Sequence, residues 1–136
     1  MNNYFHLSLI AFLIWGLWGF FPKLATKYID PKSALIYSIL GSCIIGFIIL
    51  LQGGFKIATN LKGIIFSVLT GIAGASGAIF FLKAISKGKA SVVVTITALY
   101  PLVTILLSFT LLKESLTLKE LLGIVFALVA MIFFAL

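Results

Sequence analysis

Ala90-Ser91-Val92-Val93-Val94-Thr95-Ile96-Thr97-Ala98-Leu99-Tyr100-Pro101, running on to Leu112-Lys113-Glu114-Ser115-Leu116-Thr117 and Gly123, is the stretch that decides the fold. From Ala90 to Leu112 there are 23 residues without a charge. About 20 apolar residues suffice for a helix to cross the hydrocarbon of a bilayer. Pro101 sits in the middle of this run. In a soluble helix an interior proline costs roughly 3 kcal/mol. A membrane helix tolerates one where neighbouring helices or a cavity satisfy the freed backbone groups. Pro101 is therefore expected to free carbonyls near Ile96 and Thr97 at membrane depth. Those carbonyls fit a binding feature and a simple packing kink equally well.

Composition agrees with this reading. Of 136 residues, 62% are hydrophobic and 10% charged, where a soluble domain carries about 25% charged residues. The mean hydropathy is +1.29. No polar stretch is long enough to build a soluble domain. The net charge of +7 would suggest nucleic acid in a soluble protein. Here all ten basic residues are lysines. They fall mostly between apolar runs, where they serve topology and touch anionic lipid headgroups. Without arginine, no bidentate guanidinium clamp is available. Cys43 is the single cysteine, so neither an internal disulfide nor a metal set is expected. The first lysine is Lys23, so the opening run lacks a basic n-region and is expected to be a retained span.

Five apolar runs are expected to be helices, over about 4–28, 33–51, 61–82, 90–112 and 118–136. Alternation of period two is absent, which excludes barrel strands. The connections Ile29-Asp30-Pro31-Lys32, Gln52-Gly53-Gly54, Ser86-Lys87-Gly88-Lys89 and Lys113-Glu114-Ser115 carry turn residues. They are short, so consecutive helices should be antiparallel neighbours. The fold class is an all-α integral membrane protein with five transmembrane helices, in one domain over residues 1–136.

Candidate site residues follow from polar and aromatic groups at membrane depth. Trp15 and Trp18 share one face of the first helix, and Gly16 and Gly19 an adjacent one. A tryptophan belt is one reading and an aromatic cavity wall the other. Lys23 either snorkels to the interface or faces a cavity. The third helix carries two small-residue series, Ser67-Gly71-Ala75 and Thr70-Gly74-Ala78. They predict a helix packed on two sides. The fourth helix aligns Thr97, Tyr100, Thr104 and Ser108 in one polar stripe. Such a stripe must face protein or water, as interhelical hydrogen bonds or as a hydrated path. Trp15, Trp18, Tyr37, Ser76, Thr97, Tyr100, Pro101 and Thr104 are the expected cavity residues. Glu114 is expected to cap the helix-four turn, or to pair with Lys113 or Lys119.

The acids Asp30, Glu114 and Glu120 all lie at turns. A coupled carrier commonly needs a buried carboxylate. A carrier built from this chain would thus be facilitative, or coupled through Glu114 or a lysine. No zinc-protease motif, phosphate loop or nucleophile triad is present, so an enzyme has no support. No cofactor is expected.

With these features in place, the chain resembles a single EamA-like domain of the drug/metabolite transporter superfamily. The resemblance covers essentially the whole chain. It rests on Trp15-Gly16, on the block from Phe81 to Ser91, and on Pro101 followed by Leu111-Leu112-Lys113-Glu114-Ser115-Leu116-Thr117 and Gly123. These look like the family's helix-four proline, its E-x-L-T turn and its helix-five glycine. Lys83 stands where the family more often has an uncharged residue. The resemblance implies a plasma-membrane carrier of small metabolites, amino acids or drugs. It also implies two five-helix halves of opposite orientation, of which this chain supplies one. The partner would be a second copy in an antiparallel homodimer, or another half-size subunit in a heterodimer. Inverted repeats place the substrate site between the halves. A lipid-linked sugar or lipid flippase subunit, and a non-transporting subunit needing a partner, are the alternatives. Turns one and three hold six lysines and turns two and four hold four. That slight bias places turns one and three in the cytoplasm.

Overall fold

A computed structural model describes residues 3–135. They form α1 (Asn3–Ala25), α2 (Pro31–Gln52), α3 (Leu61–Lys87), α4 (Ala90–Thr97), α5 (Tyr100–Leu111) and α6 (Leu118–Ala135). No strand occurs among the described residues. Leu136, the last residue of the fifth apolar run, lies outside them. The chain divides into two compact units, one ending at Lys87 and the other beginning at Gly88.

In the first unit, α1 stops at Ala25 rather than at Tyr28. Lys27 and Tyr28 turn their N–H groups to carbonyls three residues back, Leu24 at 3.1 Å and Ala25 at 3.0 Å. Three-residue steps tighten and end an α-helix. Asp30 then caps α2. Its carboxylate accepts the N–H groups of Lys32 and Ser33, and Pro31 opens the helix. Pro at the first helical position gives up only a donor that would be orphaned anyway. Hydropathy skipped Pro31 and Lys32, so it placed the start two residues late. At the other end of α2, Gly54 takes φ +60° and lets the chain turn back toward α3. Asn60 accepts the Gly63 N–H at 3.1 Å and opens α3.

α3 continues five residues past the expected Leu82, through Ala84, Ile85 and Ser86 to Lys87. That extension adds Ile85 to the core. Phe81, Leu82 and Ile85 are buried with Ala34 of α2, and Ile85 is wholly inaccessible. Gly19 of α1 is buried as well. α3 touches both α1 and α2, so it is packed on two sides; Ala75 and Ala78 of the two small-residue series are half-buried, but the glycines are not close contacts. A methyl group at Gly71 or Gly74 would meet open space.

In the second unit the fourth apolar run is not one helix. It breaks at Ala98 and Leu99 into α4 and α5. Leu99 donates to the Ile96 carbonyl at 3.2 Å, a three-residue step. Pro101 has no N–H, so the Thr97 carbonyl loses its usual donor four residues ahead. α4 packs against α6. α6 opens with a capping box: the Thr117 N–H and hydroxyl both donate to Glu120 Oε2, at 2.8 and 2.7 Å. At the turn after α5 the Glu114 N–H donates to the Ser108 carbonyl at 3.3 Å, and among the described residues no ion pair joins Glu114 to Lys113 or Lys119.

Among the described residues, four segments are long and apolar enough to cross a membrane: Tyr4–Ala25, Pro31–Gln52, Leu61–Lys87 and Ala90–Leu111. α6 has 18 residues and carries Lys119 and Glu120 in its first turn. Large apolar side chains cover the outside, among them Phe12, Phe66 and Phe109. Such a surface suits hydrocarbon, not water.

Candidate functional site

The first unit forms an open cavity of about 320 Å³ on its surface. Trp18 and Phe81 form its aromatic side. Their rings stack with centroids 5.4 Å apart and an interplanar angle of 16°. Pro22, inside α1, removes the donor that the Trp18 carbonyl would otherwise receive. Phe21 and Leu82 add apolar wall, and Tyr37 and Ser38 contribute hydroxyls from the start of α2. Ser38 Oγ donates to the Leu35 carbonyl at 2.7 Å, so part of its capacity is used within its own helix. No charged side chain lines the cavity. A space of this kind accepts a neutral group with an apolar or flat face.

Lys23 follows Pro22 but does not line this space. Its ammonium donates to the Ile85 carbonyl at 2.9 Å in a half-buried setting. Lys83 is exposed, with Nζ 5.7 Å from the centre of the Phe80 ring. That distance fits a cation–π contact.

The second unit holds a smaller cleft of about 90 Å³. Thr104 and Ser108 line it from α5, and Glu114 from the turn after α5. Ile105, Phe109 and Leu116 are its apolar walls. Thr97 does not reach it: its hydroxyl donates back to the Val93 and Val94 carbonyls at 2.8 and 3.0 Å. The break at Ala98 and Leu99 thus divides the expected polar stripe. Its upper part is satisfied within α4, and its lower part opens on the cleft.

Of the expected cavity residues, the structure brings Trp18 and Tyr37 together. Thr104 lies in the cleft with Glu114. Trp15, Ser76, Thr97, Tyr100 and Pro101 line neither space. Phe21, Ser38 and Phe81 join the cavity without having been singled out as wall residues. Phe81 reads in sequence as one more apolar residue near a helix end. Only its ring partner across the helix pair distinguishes it.

No solved structure matches the chain significantly. The chain is 30% identical over 132 residues to an uncharacterized protein of Methanocaldococcus jannaschii, covering 97% of this chain and 96% of that protein. The profile of the EamA-like transporter family matches residues 4–136. With that match over essentially its whole length, this multi-pass membrane chain belongs to the EamA-like transporter family.

Proposed function

We propose that the chain is a carrier of small organic solutes such as metabolites, amino acids or drugs. In this reading it forms one EamA-like domain of five membrane-crossing helices. The fourth crossing is α4 and α5 together, and the fifth is α6. It works in the cell membrane as one half of an inverted pair, beside a second copy or another half-size subunit. The observation that carries the reading is the cavity of about 320 Å³ walled by Trp18, Phe81 and Tyr37. A five-helix half offers one wall of a midplane site, and a partner of opposite orientation supplies the other. The near balance of lysines, six against four, suits insertion in both orientations. An enzyme is not proposed, since the family's members are transporters.

Uptake into proteoliposomes tests the carrier. A panel of labelled neutral amino acids and aromatic solutes is offered to wild type and to Trp18→Ala. Uptake of a panel member that falls in the variant supports the reading. Equal uptake by both proteins overturns this site. Pairing is tested separately by labelling Lys87→Cys in a Cys43→Ala background. Labelling from both membrane faces supports an antiparallel homodimer, and labelling from one face overturns it in favour of a second subunit.

A further inference from the structure

We propose that one end of the first unit, made by the α1–α2 turn and the last turns of α3, binds the headgroups of anionic phospholipids, and that the opposite end of the unit does not. Three features meet at this end.

The first is a concentration of charge. Over the whole chain the lysines of alternate turns stand six against four. Within the first unit, Lys23, Lys27, Lys32, Lys83 and Lys87 gather at one end, and Lys56 and Lys62 lie at the other. The fold brings the five together, because α1 ends, α2 begins and α3 ends there. The Lys23 ammonium reaches the Ile85 carbonyl at 2.9 Å. Ile29, Ala34 and Leu82 line one space, so the three helix ends adjoin. Lys23 is half-buried at this joint, and the other four lysines are exposed.

The second is the scarcity of acid. Asp30 is the one acidic residue before Gly88. Its Oδ1 accepts the N–H groups of Lys32 and Ser33 at 2.9 and 3.2 Å, and its Oδ2 accepts the Ser33 hydroxyl. That carboxylate opens α2, and even counted in full it leaves the end with a surplus of positive charge. Such a surplus attracts anionic lipid at short range, within about 8 Å at physiological salt.

The third is the apolar surface beneath the lysines. Phe20, Phe21 and Leu24 of α1 and Ile36 of α2 are exposed within two turns of them. Tyr28 is 84% exposed in the turn itself, and tyrosine suits the level of the headgroups. Lys83 stands about 6 Å deeper than Lys87 by the rise of the helix, with Nζ 5.7 Å from the centre of the Phe80 ring. A lysine at that depth reaches the headgroups by its flexible stem. Ammonium groups over exposed apolar side chains fit an anionic head with acyl chains attached. A free phosphate would use the first part and not the second.

Proteoliposomes of phosphatidylcholine, with or without phosphatidylglycerol, give the test. Acetylation of the lysines of wild type is located by mass spectrometry. Phosphatidylglycerol should slow modification of Lys27, Lys32, Lys83 and Lys87 several-fold more than that of Lys56 and Lys62, and added salt should remove the difference. Comparing the two ends cancels any general effect of a charged membrane on amines. As a second readout, brominated lipids quench Trp15 and Trp18, which lie in the half of α1 nearer the lysines. Wild type should prefer brominated phosphatidylglycerol to brominated phosphatidylcholine. The variant with Lys27→Gln, Lys32→Gln, Lys83→Gln and Lys87→Gln should lose that preference, and the variant with Lys56→Gln and Lys62→Gln should keep it. The labelling of wild type decides the matter even if a variant fails to fold. Equal slowing at both ends, or an equal preference in the fourfold variant, overturns the proposal. Glycerol phosphate that reproduces the slowing in phosphatidylcholine vesicles overturns it in favour of a free phosphate. Neither readout uses a transported solute, so its failure leaves the carrier reading standing.

Discussion

The ammonium of Lys23, near the end of α1, is bonded to the carbonyl of Ile85 in the last turn of α3. The last four carbonyls of a helix have no partner within it. They also carry the negative end of the helix dipole, which favours a cation. Ile85 is wholly inaccessible, so without Lys23 its carbonyl would be poorly solvated. One bond thus joins two helices, ends α3 in a satisfied state and sits beside the aromatic cavity.

Lys23→Met tests this bond. The variant keeps an apolar stem and removes the donor. Leaving a buried acceptor unsatisfied costs about 1–3 kcal/mol. The half-exposed position of the lysine and its screening by solvent place the expected loss near the lower end of that range. Unfolding of purified protein by increasing dodecyl sulfate in mixed micelles measures it. Stability equal to wild type would mean that the Lys23–Ile85 bond contributes nothing net.

Helix existence was legible because the apolar runs are long and the charges fall between them. Helix ends were less so. Asp30 as a cap with Pro31 behind it is a local signal that hydropathy overlooks. The extension of α3 to Lys87 depends on Ile85 packing inside the first unit, which no residue nearby announces. Pro101 announces freed carbonyls near Ile96 and Thr97, with a binding feature and a kink as equal readings, but not a division of the run into two helices. The consequence of that division, parting Thr97 from Thr104 and Ser108, needed the backbone geometry. Trp18 and Tyr37 could be singled out by residue type at membrane depth. Their partner Phe81 could not, because one more phenylalanine in an apolar helix has no distinguishing neighbour in sequence.

Pro101→Ala should restore the donor that the Thr97 carbonyl lacks and join α4 to α5 more continuously. The folded amount should stay near wild type, because a proline removed from a helix relieves a constraint. Transport should fall, because the break sets where the lower hydroxyls point. Far-ultraviolet circular dichroism reads the first effect and proteoliposome uptake the second. Wild-type uptake in Pro101→Ala would show that the break is a packing kink alone.

Asp30 gives a pH dependence of definite sign. Its carboxyl is held below the ordinary value of 3.8, first by the Ser33 hydroxyl and then by the Ser33 N–H; desolvation opposes them, and the Lys32 N–H adds a smaller lowering effect. A depressed folded value means that the stabilisation is complete above 3.8 and is lost as the pH falls through the folded value. Asp30→Ala should therefore unfold more easily than wild type at neutral pH, and the difference should shrink as acid is added. Asp30→Asn caps without titrating, so its stability should lack this acid-dependent component. Unfolding midpoints at a series of pH values check the pattern. A difference between Asp30→Ala and wild type that is the same in acid as at neutral pH would remove the charged cap from the account.

Trp15 and Trp18 are three residues apart on one helix and look interchangeable in sequence, yet only Trp18 stacks on Phe81. Trp15 is 61% exposed and lines no cavity. If the cavity holds part of the transported solute, the two tryptophans should separate in function. An aromatic pair contributes about 0.5–1.5 kcal/mol beyond the area it buries. Loss of such a ring contact with an aromatic solute in Trp18→Ala should weaken solute affinity by roughly 2- to 10-fold. Trp18→Phe keeps a ring against Phe81 and should recover much of the loss. Trp15→Ala removes a side chain that faces outward, so its affinity should stay near wild type. Competition binding with the best member of the uptake panel measures all three variants on one scale. The reverse order, with Trp15→Ala the weaker binder, would move the site to the outer face of α1. The solute would then be recognised by a surface that only a partner completes.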